Sequence, residues 1–274
     1  MSKVVKSIII SGNGTNCERE VANACRLAGS DVNDIVHIAE LLSGRCSLDD
    51  YHFLHLAGGF LDGDDLGRAK AGANRLRHAA ISGSEEKLAD QLQRFIGEGK
   101  LVMGVCNGFQ LMVKMGLLPA IAGDYKSQSA TLSFNDSGKF EDRWCYLKAD
   151  PASPCIYTKG QDTLYFPVRH GEGKFLASDE TLTAIEAGHL AAVRYSTADG
   201  ESTMEYPLNP NGSLNAIAGI CDASGRLFGL MPHPEAFTHR THHPRWTREP
   251  DLPEEGMGLT LYKNGVDFIR QILL

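Results

Sequence analysis

The sequence predicts an α/β fold: a mostly parallel central sheet flanked by helices, with antiparallel strands added in its second half. Three observations predict it. Short β-branched or apolar runs alternate with helical segments through the N-terminal half, the pattern of a parallel sheet covered on both faces. The second half changes to short strands separated by Gly- and Asn-rich turns, as antiparallel hairpins are. No linker, internal repeat or low-complexity tract interrupts the 274 residues, so residues 1–274 are expected to form one domain.

Residues 4–10 read as a buried strand, followed by a loop at Gly12-Asn13-Gly14-Thr15-Asn16. Residues 17–28 carry helical periodicity and stop at Gly29. Strands follow at 34–38 and at 52–56, the latter ending in Ala57-Gly58-Gly59. A helix over 85–97 places Leu88, Leu92, Phe95 and Ile96 on one face. Residues 101–105 form a strand that runs directly into a helix over 108–115. Beyond it, 129–134 and 144–148 read as strands around a turn at Asn135-Asp136-Ser137-Gly138. Further strands are expected at 164–168, 190–195, 216–221 and 227–231, with a last helix over 259–274.

Composition narrows the function. A net charge of −7 disfavours nucleic acid as the main partner, because phosphate binding wants a basic surface. No apolar run approaches the length of a membrane span, and the first apolar stretch is too short for a signal peptide. The seven cysteines are odd in number and none is spaced C-x-x-C. That argues against a disulfide framework or zinc ribbon and for a reducing cytoplasm.

One cysteine stands out. In Gly104-Val105-Cys106-Asn107-Gly108-Phe109-Gln110 an apolar strand turns into a helix at Cys106, with glycine two residues to either side. This is the pattern of a nucleophile elbow with Cys in place of Ser. The tight turn needs flanking residues without side chains, and the helix N-terminus beneath favours a thiolate. The N–H of Asn107 would then face a developing oxyanion. A buried cysteine between two packing glycines fits the same string, so partners must decide.

A base is offered at Leu230-Met231-Pro232-His233-Pro234-Glu235. A buried strand ends, and a histidine held between prolines follows. In extended chain, residues i and i+2 project to one side, so Glu235 can hold one ring nitrogen and leave the other facing the thiol. Cys106 and His233 both fall at strand ends, where parallel α/β sheets carry their reactive loops.

These two segments resemble the nucleophile and His-x-Glu motifs of the class I (triad) glutamine amidotransferases, which implies their flavodoxin-like fold. Further strings are similar to one branch, the glutaminase components of phosphoribosylformylglycinamidine synthases. They are Gly14-Thr15-Asn16-Cys17-Glu18, Gly58-Gly59-Phe60 with Gly63-Asp64, and Asn135 with Ser137, Phe140, Arg143 and Trp144. His170-Gly171-Glu172-Gly173 and Asn209-Pro210-Asn211-Gly212-Ser213 follow in the same order. Departures are Leu61-Asp62 where the family has Ser-Tyr, and Ala236 where it has Arg. Residues 237–256 are also longer than expected of a free-standing subunit and look more like the tail of the large single-chain synthase.

The resemblance implies that Cys106 attacks the glutamine carboxamide, His233 acts as acid and base, and Glu235 orients it. Gly58, Gly59 and Asn107 would form the oxyanion site, with Gln110 and Asn135 as candidate contacts to the substrate. Ammonia would pass to a separate synthetase subunit in purine biosynthesis, with a small third subunit as a further candidate partner. ATP and Mg are expected on that synthetase, and no cofactor or metal in this chain. Rival readings are a glutaminase serving another synthetase, a different Cys-elbow hydrolase such as a peptidase, and a non-enzymatic interaction subunit.

Other clusters are weaker. Gly12-x-Gly14 lacks the rest of a phosphate loop and reads as a turn. His239, His242 and His243, near Arg240, Arg245 and Arg248, read as a basic surface loop rather than a metal site. His170 and Glu172 read as part of a structured turn rather than an acid–base pair.

Overall fold

The computed structural model describes residues 4–63 and 67–274. In chain order its elements are β1 (Lys6–Ser11), α1 (Glu18–Leu27), β2 (Val32–His37), α2 (Ile38–Leu42), β3 (Phe53–Leu56), α3 (Lys70–His78), α4 (Leu88–Gly97), β4 (Leu101–Val105) and α5 (Asn107–Lys114). There follow β5 (Ala130–Ser133), β6 (Glu141–Ala149), β7 (Thr163–His170), β8 (Lys174–Ala177), α6 (Asp179–Ala187), β9 (Val193–Ser196), β10 (Ile217–Cys221), β11 (Leu227–Leu230) and α7 (Gly258–Phe268).

Nine strands form one sheet in the order β2-β1-β3-β4-β11-β10-β9-β6-β7. The half from β2 to β11 is parallel throughout. Beyond β11 every pairing is antiparallel, with β10 and β6 running against the rest. Every residue of β3, β4, β10 and β11 is buried. These central strands are covered on both faces, which is why they read as continuous apolar runs rather than alternating ones. One contiguous cluster of buried side chains, from Val5 to Ile269, spans both halves.

The order of the central strands positions the site. β3, β4 and β11 are neighbours and parallel. The loops leaving their carboxyl ends carry Gly58-Gly59, Cys106 and His233, so three segments distant in sequence must meet above one sheet edge.

Two expectations are corrected. β5 and β6 do not form a hairpin. The turn at Asn135 closes, with Gly138 N donating to Asn135 O at 2.9 Å, but β5 pairs with β8 in a separate small sheet and β6 pairs with β7 and β9. The Asn135 side chain draws the turn away by bonding to the His170 and Lys139 carbonyls. Helices α3 and α6 were also not anticipated. α3 buries only Gly72, Ala73 and Leu76, too little to show an apolar stripe. α6 buries Ile185 alone, although Ser178 caps it by accepting the Thr181 N–H.

Candidate active site

Cys106 sits at the junction of β4 and α5 with φ 51° and ψ −105°, a conformation that costs a non-glycine residue energy and is held by its surroundings. The flanking glycines make it feasible. A Cβ on Gly108 would overlap the Leu56 carbonyl, and one on Gly104 would stand 2.6 Å from the Met112 sulfur. Helix α5 can therefore press onto β3 and β4 only with hydrogen at both positions. Cys106 N donates to Leu230 O at 2.8 Å, tying the elbow to the strand that delivers the base.

His233 and Glu235 are both buried, each 2% exposed. His233 Nδ1 lies 2.5 Å from Glu235 Oε1. The pairing comes from a tight turn rather than from extended chain: Pro234–Ala236 form one turn of 3₁₀ helix, which folds Glu235 back under the ring. His233 N also donates to Pro167 O at 2.8 Å, fixing the loop against β7. Burial opposes charge on this imidazole. The Glu235 carboxylate, with the Cys106 and Cys17 thiols, outweighs it and holds the His233 pKa well above its ordinary value.

Cys106 and His233 line a cleft of about 270 Å³ with Asn16, Cys17, Glu20, Gly59, Phe60, Phe140 and Arg169. Cys106 Sγ reaches the Arg169 carbonyl at 3.7 Å, and the Arg169 guanidinium lies 3.9 Å from Glu235 Oε1. A larger cavity of about 670 Å³, between residues 150–161 and the end of α7, is lined by no imidazole.

Gly58 meets the triad most closely. A Cβ there would stand 2.9 Å from His233 Cε1 and 3.6 Å from Cys106 Cβ. Gly59 has φ +136° and packs against Gly14 and Asn16, so the Gly12–Asn16 loop buttresses the cleft wall, consistent with a turn. Asn107 heads α5, where backbone N–H groups lack helical partners. Its side chain accepts from Leu61 N at 3.2 Å and donates to Gln110 Oε1 at 3.1 Å. Gln110 in turn donates to the Glu172 carbonyl at 2.6 Å.

Gln110 and Asn135, the candidate substrate contacts, lie behind the cleft. Both are 3% exposed and neither lines the cleft. Gln110 braces the elbow against the 170–173 turn. Asn135 spends its side chain on His170, Lys139 and Gly173. His170 and Glu172 face different partners: His170 sits between Asn135 and Asn211, and Glu172 pairs with Arg68 at 3.6 Å.

Sequence analysis gave no role to Cys17, Glu20 or Arg169, although Cys17 lies in the family-like Gly14–Glu18 string and Arg169 directly precedes His170–Gly173; only the fold brings them to Cys106. Among the described residues, one group of three possible metal donors forms, Cys17, His233 and Glu235. The three histidines of the 237–256 segment are used separately. His239 bonds to Glu254 and Thr241, and His242 accepts from Thr238 N. His243 is not at the surface: it is 5% exposed among Trp144, Tyr165 and Phe237. The departures at 61 and 62 also have local roles. Leu61 is buried against Gly12 and Gly72, and Asp62 pairs with Arg75 at 3.0 Å. Asp64 lies outside the described residues.

Residues 4–269 match the CobB/CobQ-like glutamine amidotransferase domain. The chain belongs to this amidotransferase family. Among curated relatives, phosphoribosylformylglycinamidine synthase subunit PurQ of Dehalococcoides mccartyi is 45% identical over 99% of this chain and all of its own. PurQ of Methanococcus maripaludis is 36% identical over 99% of this chain and all of its own. Among solved structures, PurLQS from Thermotoga maritima matches with a TM-score of 0.69 at 26% identity, covering 97% of this amidotransferase and 99% of the matched chain. The full-length agreement with subunits corrects the reading of residues 237–256 as a single-chain tail. It also sets aside the Cys-elbow peptidase.

Proposed function

We propose that this chain is the glutaminase subunit of a phosphoribosylformylglycinamidine synthase of purine biosynthesis. It hydrolyses glutamine and passes ammonia to a synthetase subunit. The family and its PurQ relatives support the assignment. The observation that carries the chemistry is the convergence of Cys106 and His233 from two adjacent strand ends in one cleft, with Glu235 bonded to His233 from behind.

Cys106 passes its proton to His233 Nε2 as it becomes the nucleophile. Its sulfur attacks the glutamine γ-carbonyl carbon, and the oxyanion is received by the N–H groups of Asn107 and Gly59, with Gly58 leaving room at the junction. His233 Nε2 gives its proton to the departing nitrogen, and ammonia leaves a γ-glutamyl thioester. The now neutral Nε2 takes a proton from water, hydroxide adds to the thioester, and collapse releases glutamate and restores the thiolate–imidazolium pair. Glu235 keeps the ring oriented and stabilises its charge. Arg169 and Glu20, on the cleft wall, suit the α-carboxylate and α-ammonium of an amino-acid substrate.

By analogy with PurLQS, the partners are a synthetase and a small third subunit, with ATP and Mg on the synthetase and residues 1–274 acting as one domain. The setting is the cytoplasm. Among the described residues no helix is long and apolar enough to cross a membrane. The test replaces Cys106 with Ala and assays the reconstituted complex. Glutamine-dependent synthesis should vanish while ammonium-dependent synthesis survives. Retained glutamine hydrolysis would remove Cys106 from the reaction.

A further inference from the structure

Behind the catalytic pair, two buried oxygen atoms have no hydrogen-bond partner among the described residues: Glu235 Oε2 and the hydroxyl of Tyr262. Both residues lie in the interior, Glu235 at 2% exposure and Tyr262 at 0%. A buried carboxylate oxygen or phenol without a partner is costly, and native interiors rarely leave one so. The two atoms belong to segments that are packed together. Gly258, at the start of α7, donates its N–H to Phe237 O at 2.9 Å, and a Cβ on it would overlap the Pro234 carbonyl. The first turn of α7 therefore rests on the 3₁₀ turn that carries Glu235.

Tyr262 stands one turn further along α7. Helical side chains lean toward the helix N-terminus, so the phenol is directed back toward that 3₁₀ turn. Its ring stacks on His55 of β3 with 5.6 Å between centroids. Beyond it, a Cβ on Gly265 would stand 2.8 Å from Phe53 Cε1, so α7 closes tightly on β3 and fixes the ring. Burial, then the Glu235 carboxylate ahead of Cys25 and Cys17, hold the Tyr262 pKa well above its ordinary value. The hydroxyl thus keeps its proton and is able to donate it. The neighbouring groups are engaged elsewhere. Cys25 Sγ and His55 Nε2 bond to each other at 3.1 Å, and the Cys17 thiol donates to Asn16 Oδ1 at 3.3 Å. The Arg169 guanidinium approaches the other carboxylate oxygen, Oε1, at 3.9 Å.

We propose that Tyr262 is a positioning residue of the glutaminase site: its hydroxyl serves Glu235 Oε2 through one intervening water and holds the carboxylate at the angle from which Oε1 meets His233 Nδ1. A single water is the shortest link between two buried polar atoms that do not bond directly. Tyr262 does not line the cleft. It acts on the reaction only through Glu235 and His233, and so only if the catalytic roles proposed above hold.

The experiment is a double-mutant cycle in the reconstituted complex, with Tyr262→Phe, Glu235→Gln and the two combined. Phenylalanine keeps the ring on His55 and removes one oxygen. A lost hydrogen bond to a charged group corresponds to about tenfold or more, so Tyr262→Phe should lower kcat for glutamine hydrolysis about tenfold. KM for glutamine and ammonium-dependent synthesis should stay unchanged. With Glu235→Gln already present, the same change should alter kcat by no more than about twofold, because the residue it acts through is gone. If Glu235→Gln is impaired and Tyr262→Phe is not, the proposal alone is overturned. An equal loss in both backgrounds, the mark of a packing role, also overturns it. Full kcat in Glu235→Gln would remove the triad reading, and the role of Tyr262 with it. Should Tyr262→Phe fail to fold by circular dichroism, a difluorotyrosine placed at position 262 keeps the hydroxyl and makes it a stronger donor. It should draw charge from the carboxylate and lower the pKa that His233 contributes to the pH profile of kcat; an unmoved profile overturns the proposal.

Discussion

His233 Nδ1 stands 2.5 Å from Glu235 Oε1 across a single 3₁₀ turn, with both side chains buried. A charge on the imidazole is therefore supported from behind before substrate arrives. That separates the roles of the two residues, since Glu235 acts on substrate only through His233.

Glu235→Gln tests that division. The amide carries no charge to stabilise the imidazolium and can present the wrong partner to Nδ1. The expected loss falls on kcat, up to about 10⁴-fold as for the buried carboxylate of hydrolytic triads, with KM little changed. Steady-state glutaminase kinetics of the complex give the answer. A variant that keeps its kcat would take Glu235 out of the mechanism.

Arg169→Met tests substrate recognition. Hydrogen bonds to charged groups contribute about 1.5–3 kcal/mol, so KM for glutamine should rise by one to two orders of magnitude while ammonium-dependent synthesis is unchanged. An unaltered KM would place the α-carboxylate elsewhere.

Gly108→Ala tests the elbow itself. The new methyl group would collide with the Leu56 carbonyl, which belongs to β3 and cannot yield without moving the sheet. The expected cost is that of overpacking, about 1–3 kcal/mol, read from the urea midpoint. Undiminished stability would mean that α5 does not press onto β3 as described.

The same structure makes a prediction about pH. Burial pushes the His55 pKa down to about 3, and burial followed by the nearby His233 charge does the same to His170. Between pH 6.5 and 3 the unfolded chain binds a proton at each site and the folded chain does not. This contribution to stability is complete above pH 6.5 and falls with acidification by about 1.4 kcal/mol per pH unit for each histidine. His233, with a raised pKa, is protonated in both states below 6.5 and adds no slope there. Urea unfolding between pH 6.5 and 5, above the carboxylate range, reads the effect. His52, His242 and His243, whose pKa values burial also lowers, add to the same slope, so His170→Gln should remove one histidine's share of it whatever it does to absolute stability; an unchanged slope would mean that His170 is not the neutral, buried group described.

Much of this was legible in the chain because the relevant signals are local. The elbow announces itself through Gly104 and Gly108, and His233 through its prolines and through Glu235 two residues on. Strands β3, β4 and β11 show as unbroken apolar runs because both their faces are buried. What sequence could not supply was pairing across the chain. β5 prefers β8 because the Asn135 side chain binds residues 170–173. Gln110, one turn from the nucleophile, is engaged by Asn107 and Glu172 instead of facing the cleft. Cys17 and Arg169 enter the site only when the Gly12–Cys17 loop and β7 are folded against the same sheet edge.

The central claim is that Cys106, and not the neighbouring Cys17, is the nucleophile toward glutamine. A diazoketone analogue of glutamine, incubated with the complex and followed by proteolysis and mass spectrometry, tests it most directly. The account predicts one adduct per chain, on Cys106, formed in step with loss of glutaminase activity and blocked by excess glutamine. An adduct on Cys17, or full loss of activity with Cys106 unmodified, would contradict it.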